Sequence, residues 1–339
     1  MRIAIVGSGS WGTALAQTLA HAGGDRHVVL CPRSQEVAES ITETRHNPRY
    51  LTEISLDAGI EVTAHLSAAL RGARVVILAV PTGAMRSVAE SLEVHLPPDA
   101  VVVSAAKGFE RSSGARMSTV LDGVIGAAAA RVTALSGPNI AVEIALGLPA
   151  AGVVAGEPSC AGLVRDMFMG SRYRAYSTDD LVGVEYAGAL KNIIAIAAGV
   201  VESLGLGHNA MAALITRGLA EMSRLATAMG GCAETLAGLS GLGDLVLTCT
   251  GELSRNRRVG IELGRGRPLP EILAGMKMVA EGVRTTRVAL ALGACHGIEL
   301  PITAQMAEVL DGRKSPRDAV EDLMLRPPRA ETDVTEPVS

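Results

Sequence analysis

Aromatic side chains are nearly missing from this chain. One Trp, four Tyr and two Phe make up 2% of 339 residues, which argues against a protein that stacks nucleic-acid bases on rings. Positive charge is not in excess either. Thirty-one Lys and Arg stand against 35 Asp and Glu, a formal net charge of −4, so the basic face that a phosphodiester backbone calls for is absent and no nucleic-acid partner is expected. The five cysteines (Cys31, Cys160, Cys232, Cys249, Cys295) are odd in number, widely spread and without a C-x-x-C pair. Neither a disulfide framework nor a structural zinc site follows from them. The seven histidines form no H-E-x-x-H or comparable cluster, and a cytoplasmic protein without a metal is expected. Disorder is excluded by 48% hydrophobic against 19% charged residues.

What the chain does have is glycine, 38 of them. Several fall in the stretch Ile3 to Gly24, which carries no formal charge beyond His21 and superficially resembles a signal peptide or membrane span. It is broken by Gly7, Ser8, Gly9, Ser10, Gly12, Thr13, Gln17 and Thr18. A short IAIV run, a glycine loop and a helical pattern at Leu15, Leu19 and Ala22 are the better reading, and no membrane span is expected.

The first half alternates apolar runs at 2–6, 27–31, 74–80, 100–104, 132–136 and 150–155 with helix-like stretches at 10–22, 34–44, 83–95 and 113–128. Such alternation predicts an α/β fold, a parallel sheet covered on both faces, with ligands at the carboxyl ends of its strands. Beyond about residue 178 the runs disappear. Helices are expected at 179–204, 208–229, 254–264, 278–296 and 303–312. The resulting division is a dinucleotide-binding Rossmann-type domain over 1–184, an all-helical substrate and catalytic domain over 185–325, and a polar, proline-containing disordered tail over 326–339.

Gly7, Gly9 and Gly12 stand in G-x-G-x-x-G spacing between a predicted strand and helix. Gly7 permits the tight turn, Gly9 lets a pyrophosphate approach the backbone, and Gly12 allows close helix–strand packing. The phosphates then meet free N–H groups at the helix N-terminus. An NAD site usually places a carboxylate after the second strand; here Cys31, Pro32 and Arg33 stand there. Arg33 suits a 2′-phosphate, which favours NADP(H) and leaves NAD(H) possible, although a solvated Arg opening the next helix fits the position equally.

Lys191 lies in EYAGALKNIIAIAAGV, flanked at helical spacing by Ala187, Gly188, Ile194 and Ala195. An ammonium inside so apolar a stripe either faces a cleft or carboxylate or snorkels to water. In the first case it is a candidate acid–base group. Asp244, in GLSGLGDLVLTCT, reads first as a helix N-cap and second as the carboxylate for Lys191. Ser254 reads as an N-cap that puts Arg255, Arg257 and Arg258 in a first helical turn, where cations oppose the helix dipole and an anion is invited. Lys107-Gly108 and the SGPNIA segment with Gly137 follow two further strands; Lys107 by itself is equally a surface loop lysine.

The ordered set GSGSWGTALA, AAKGFE, SGPNIAVEIALGLPAA, ALKNIIAIAAG, GLGDLVLTCTGELSRNRRVG and AEGVRTT resembles the bacterial-type NAD(P)-dependent glycerol-3-phosphate dehydrogenases over almost the whole chain. The resemblance implies a Rossmann domain followed by a helical domain, a homodimer, and interconversion of dihydroxyacetone phosphate and sn-glycerol 3-phosphate for the phospholipid backbone. It implies cofactor contacts from Ser10, Trp11, Arg33, Lys107, Ala141, Arg255, Val279 and Glu281. For the phosphorylated triose it implies Lys107, Gly137, Asn139, Lys191, Asp244, Ser254, Arg255 and Asn256. Lys191 is the implied proton donor and acceptor, with Asp244 and Lys107 orienting it.

The chain departs from the family pattern at Cys31-Pro32, where an aromatic is usual, and at Asn139-Ile140, where Ser or Thr with Phe is usual. Two other readings stay open at this level. One is a dehydrogenase of similar architecture acting on a β-hydroxy acid or ketopantoate. The other is a dinucleotide sensor without chemistry, for which Lys191 would have no use.

Overall fold

The computed structural model describes residues 1–126, 131–276, 280–328 and 330–331. They form two compact units, Met1–Glu185 and a second that starts at Tyr186. The expected helical residues 127–128 and 278–279 and most of the expected tail, at 329 and 332–339, lie outside the described residues. Within the described part of that stretch, Arg326 pairs with Glu299 at 3.2 Å and the Glu331 carbonyl accepts from Arg217.

The first unit is built on an eight-stranded sheet: β1 (Arg2–Val6), β2 (His27–Cys31), β3 (Glu61–Val62), β4 (Val75–Leu78), β5 (Val101–Ser104), β6 (Val132–Ser136), β7 (Ala150–Ala155) and β8 (Tyr173–Thr178). Their order is β3-β2-β1-β4-β5-β6-β7-β8. The continuous apolar runs are buried on both faces, as the two-residue pleat requires. Ile3 and Ile5 join one core with Leu15, Leu19, Val28, Leu30 and Ile77, while Ala4 and Val6 join the other with Leu78, Met85, Val102 and Leu121. Chain order reverses between β1 and β4, which places a topological switch point at the carboxyl end of β1, where the glycine loop begins.

The sheet is not wholly parallel as expected. β6 and β7 run antiparallel, with Ala134 opposite Ala155 and Ser136 opposite Val153. The only helix in their connection is Ala141–Ala145, five residues long. At about 1.5 Å per residue it spans ~7.5 Å, too little to carry the chain back along a strand, so the chain returns directly. Strands β3 and β8 had no apolar run to announce them. β3 is only two residues, and β8 is an edge strand, YRAYST, with three of its six residues exposed.

In the second unit the regular secondary structure of the described residues is all helical. The helix Leu181–Ser203 is long and apolar enough to cross a membrane by length and composition, yet 94% of its most apolar stretch is buried within the protein. Other helices press against it through backbone. A Cβ on Gly260 would lie 1.9 Å from the Ile196 carbonyl oxygen, and one on Gly282 2.5 Å from that of Asn192.

Candidate active site

The glycine loop is set by its backbone. Gly7 has φ +104°, and a Cβ there would lie 2.6 Å from the Ala79 carbonyl oxygen at the end of β4; a Cβ on Gly12 would lie 2.0 Å from the Gly7 oxygen. At Gly9 the same construction meets nothing within 4 Å. The helix Ser10–His21 that follows has Gly9 as its N-cap, no side-chain cap and no acidic residue in its first turn. Its leading N–H groups therefore suit an anionic group lying on Gly9. Gly7 N donates to the Cys31 carbonyl at 2.9 Å, tying the loop to the end of β2, where Arg33 is exposed. Asn47, a residue not anticipated from sequence, braces the loop from beneath by donating to the Ser8 carbonyl and to Thr13 Oγ1.

Around the ends of β5 and β6, Lys107 Nζ donates to the Gly137 carbonyl at 2.7 Å. Asn139 lies half-buried beyond Gly137, and its Oδ1 accepts from the Tyr173 hydroxyl at 3.0 Å. Ala141 opens the short helix that packs against Ser10–His21. Trp11 packs on the same core as Ala141. Two buried donors here, Trp11 Nε1 and Asn139 Nδ2, meet no acceptor among the described residues.

In the second unit Lys191 does not snorkel. Its Nζ donates to Asp244 Oδ1 at 2.8 Å and to Thr248 Oγ1 at 2.6 Å, with the lysine side chain 8% and the aspartate 2% exposed. Asp244 is not the N-cap that its position suggested. That place belongs to Gly243, and Asp244 is the first residue of the helix Asp244–Thr250 with its carboxylate turned to the lysine. A π-helical turn, Leu239–Gly243, delivers it there. Thr248 was not singled out from sequence, although its i+4 spacing from Asp244 on a helix is the signal that finds it. Burial pushes the neighbouring Cys249 thiol up to about 12.

Ser254 caps the helix Arg255–Gly264 by accepting from Arg257 N, as expected. The three arginines separate, however. Arg257 is engaged with Glu202 at 2.6 Å, while Arg255 and Arg258 are exposed. Asn256 is buried, with Nδ2 donating to Asn192 Oδ1 at 2.8 Å and Oδ1 accepting from Gly282 N at 3.0 Å. It thereby ties the arginine turn to the lysine helix and to the start of the helix Glu281–Cys295, on which Glu281 is the first residue. Asn192, adjacent to Lys191, is a further member not anticipated from sequence. Val279 lies outside the described residues.

Residues 2–161 match the family model for the N-terminal part of NAD-dependent glycerol-3-phosphate dehydrogenase, and residues 180–321 match that for its C-terminal part. A glycerol-3-phosphate dehydrogenase [NAD(P)+] of Koribacter versatilis is 50% identical over 334 residues, covering 97% of this chain and 98% of that protein. The corresponding protein of Moorella thermoacetica is 49% identical, with 96% of each covered. A crystal structure of glycerol-3-phosphate dehydrogenase from Coxiella burnetii superposes with a TM-score of 0.88 at 37% identity, covering 96% of this chain and 99% of that one. With both halves of the family pattern in order along one chain, and half of all positions identical to a relative of the same length, this chain belongs to the NAD-dependent glycerol-3-phosphate dehydrogenase family.

Proposed function

We propose that this protein interconverts dihydroxyacetone phosphate and sn-glycerol 3-phosphate, supplying the glycerophospholipid backbone, with NADP(H) favoured and NAD(H) accepted. The observation that carries the reading is the buried Lys191 ammonium held by Asp244 and Thr248 in a chain of this family.

The residues present fit a dinucleotide: an uncapped helix start, a bare Gly9 and the buried Trp11 Nε1 donor. Gly7, Gly9, Ser10, Trp11, Gly12, Arg33, Lys107, Ala141, Arg255 and Glu281 would hold it, with Val279 completing the set. When bound, it supplies the hydride that adds to C2 of the triose. Lys107, Gly137, Asn139, Ser254, Arg255 and Asn256 contribute to the triose site. Arg255 and the N–H groups of its helical turn take the phosphate, while Asn256, both ends of its amide already engaged, fixes that turn to the lysine helix.

Lys191 hydrogen-bonds the ketone oxygen and gives it a proton as the hydride arrives; in the reverse direction it takes that proton back. Asp244 stabilises the charged lysine and Thr248 aims it, because a charge this deeply buried persists only when paired. Anchoring the phosphate makes the transfer an effectively unimolecular step.

On this reading residues 1–184 form the dinucleotide domain, 185–325 the substrate and catalytic domain, and the protein works as a cytoplasmic homodimer. Cys31, Cys160 and Cys249 are buried thiols, which suits a reducing compartment. The test is oxidation of NADPH and NADH by the purified protein with dihydroxyacetone phosphate against a panel of keto acids that includes ketopantoate. Preferential turnover of the triose phosphate is expected. Faster turnover of a keto acid, or none of any ketone, would overturn the reading.

A further inference from the structure

Asn139 lies just beyond β6, and its amide has two unlike ends. The Tyr173 hydroxyl takes one of them, Oδ1, at 3.0 Å. The other, Nδ2, is buried and meets no acceptor among the described residues. A buried donor without an acceptor is unfavourable, and an acceptor oxygen on a bound ligand would relieve it. Tyr173 lies on β8, an edge strand whose sequence gives no hint of a site, yet it is only 2% exposed. Its ring contacts Phe168 at 4.9 Å and Trp11, inside the glycine loop, at 6.4 Å between centroids. Room for the hydroxyl depends on Gly152 of β7, where a Cβ would fall 1.8 Å from the phenolic oxygen. A Cβ on Gly137, two residues before Asn139, would in turn fall 2.8 Å from the Gly152 Cα.

We infer that Tyr173 is a positioning residue: by holding Oδ1 it turns the Asn139 amide so that its NH2 group is presented as a donor to an acceptor oxygen of the bound substrate or cofactor. The inference rests on the functional reading above. A hydroxyl at position 139 can rotate to donate or accept, whereas an amide must be oriented from outside. In this chain the tyrosine hydroxyl does the orienting, and Gly152 makes space for it.

The experiment compares wild type, Tyr173→Phe, Asn139→Ala and the double variant. Steady-state kinetics give KM for dihydroxyacetone phosphate and for NADPH. Quenching of the fluorescence of Trp11, the single tryptophan, gives NADPH affinity without turnover. Tyr173→Phe keeps the ring packing and is expected to raise one of these constants about tenfold, the worth of one hydrogen bond, with kcat and the melting temperature little changed. A rise in the triose KM alone identifies the acceptor as a substrate oxygen; a rise in the NADPH constant identifies it as one on the cofactor. In the Asn139→Ala background the same change should cost less than about twofold, because the amide it orients is gone. Both constants staying within twofold in Tyr173→Phe, or an equal penalty with and without Asn139, would overturn the inference. If the wild type fails to reduce dihydroxyacetone phosphate, the functional reading falls separately, and fluorescence titrations of wild type and variants with NADPH and with dihydroxyacetone phosphate still decide the role of Tyr173.

Discussion

Lys191 Nζ lies 2.8 Å from Asp244 Oδ1, and both side chains are more than nine-tenths buried. The two residues are 53 positions apart in the chain. A helix of otherwise apolar character delivers the lysine, and a π-helical turn followed by a new helix delivers the aspartate. Thr248 Oγ1 accepts from the lysine and donates to the Asp244 carbonyl, so the ammonium is held from two directions by one helical turn.

Removing the ammonium should therefore be costly twice over. Lys191→Ala is expected to lower kcat about a hundred- to ten-thousand-fold, as loss of a general acid does. It also strands a buried carboxylate, at about 3–5 kcal/mol of stability read by urea unfolding. Small primary amines added to the folded variant should restore part of the rate. A near-native kcat in Lys191→Ala would contradict the assignment of the proton to this residue.

On the proposed reading, Arg255 and Arg257 of the arginine turn serve different ends. Arg255→Ala is expected to raise KM for dihydroxyacetone phosphate about tenfold to a hundredfold, the range of a charged hydrogen bond. Arg257→Ala breaks the pair with Glu202, whose side chain is 41% exposed. It should cost about 1 kcal/mol of stability or less and leave that KM nearly unmoved. Equal KM effects from the two variants would mean that the turn binds phosphate as a diffuse basic patch.

Arg33 lies two residues beyond Cys31, the last residue of β2, and is exposed. Arg33→Ala should reduce kcat/KM with NADPH about tenfold or more and leave NADH efficiency unchanged, since only the 2′-phosphate offers a guanidinium partner. Comparable efficiencies with both cofactors, unaltered by the substitution, would remove the preference for NADP(H).

Glu110 gives a pH dependence of known sign. The Arg86 guanidinium hydrogen-bonded to it, joined by the Ser113 hydroxyl, holds its carboxyl at about 2 instead of 4.5. Between these values the unfolded chain binds more protons than the folded one, so this contribution is present above about 4.5 and is lost as pH falls toward about 2. Arg86→Ala should thus destabilise the protein more at neutral pH than in acid. Equal destabilisation by urea titration at both would show that Arg86 acts through packing alone.

Much of this was legible without coordinates. Short continuous apolar runs alternating with helix-like stretches read as strands covered on both faces, and the G-x-G-x-x-G spacing fixes a turn that a Cβ would block. A lysine in an apolar helical stripe needs a partner, and so Lys191 and Asp244 stood out along with Arg255. Where sequence reasoning stopped, the cause was physical. β8 is half-uncovered and so carries no apolar signature, and the β6–β7 pair turned antiparallel because its connecting helix is too short to cross back. Asp244 looked like an N-cap because the same residue type serves both purposes locally; only the approach of another helix decides between them.

The glycine abundance divides along the same line. Composition alone established a chain poor in rings and rich in backbone-baring residues, and spacing explained Gly7, Gly9 and Gly12. That Gly260 and Gly282 let two helices meet the lysine helix through backbone, and that Gly152 makes room for the Tyr173 hydroxyl, was decided by tertiary structure. Such contacts join residues far apart in the chain, and their energy lies in ångström-scale fit, for which local sequence carries no period and no motif.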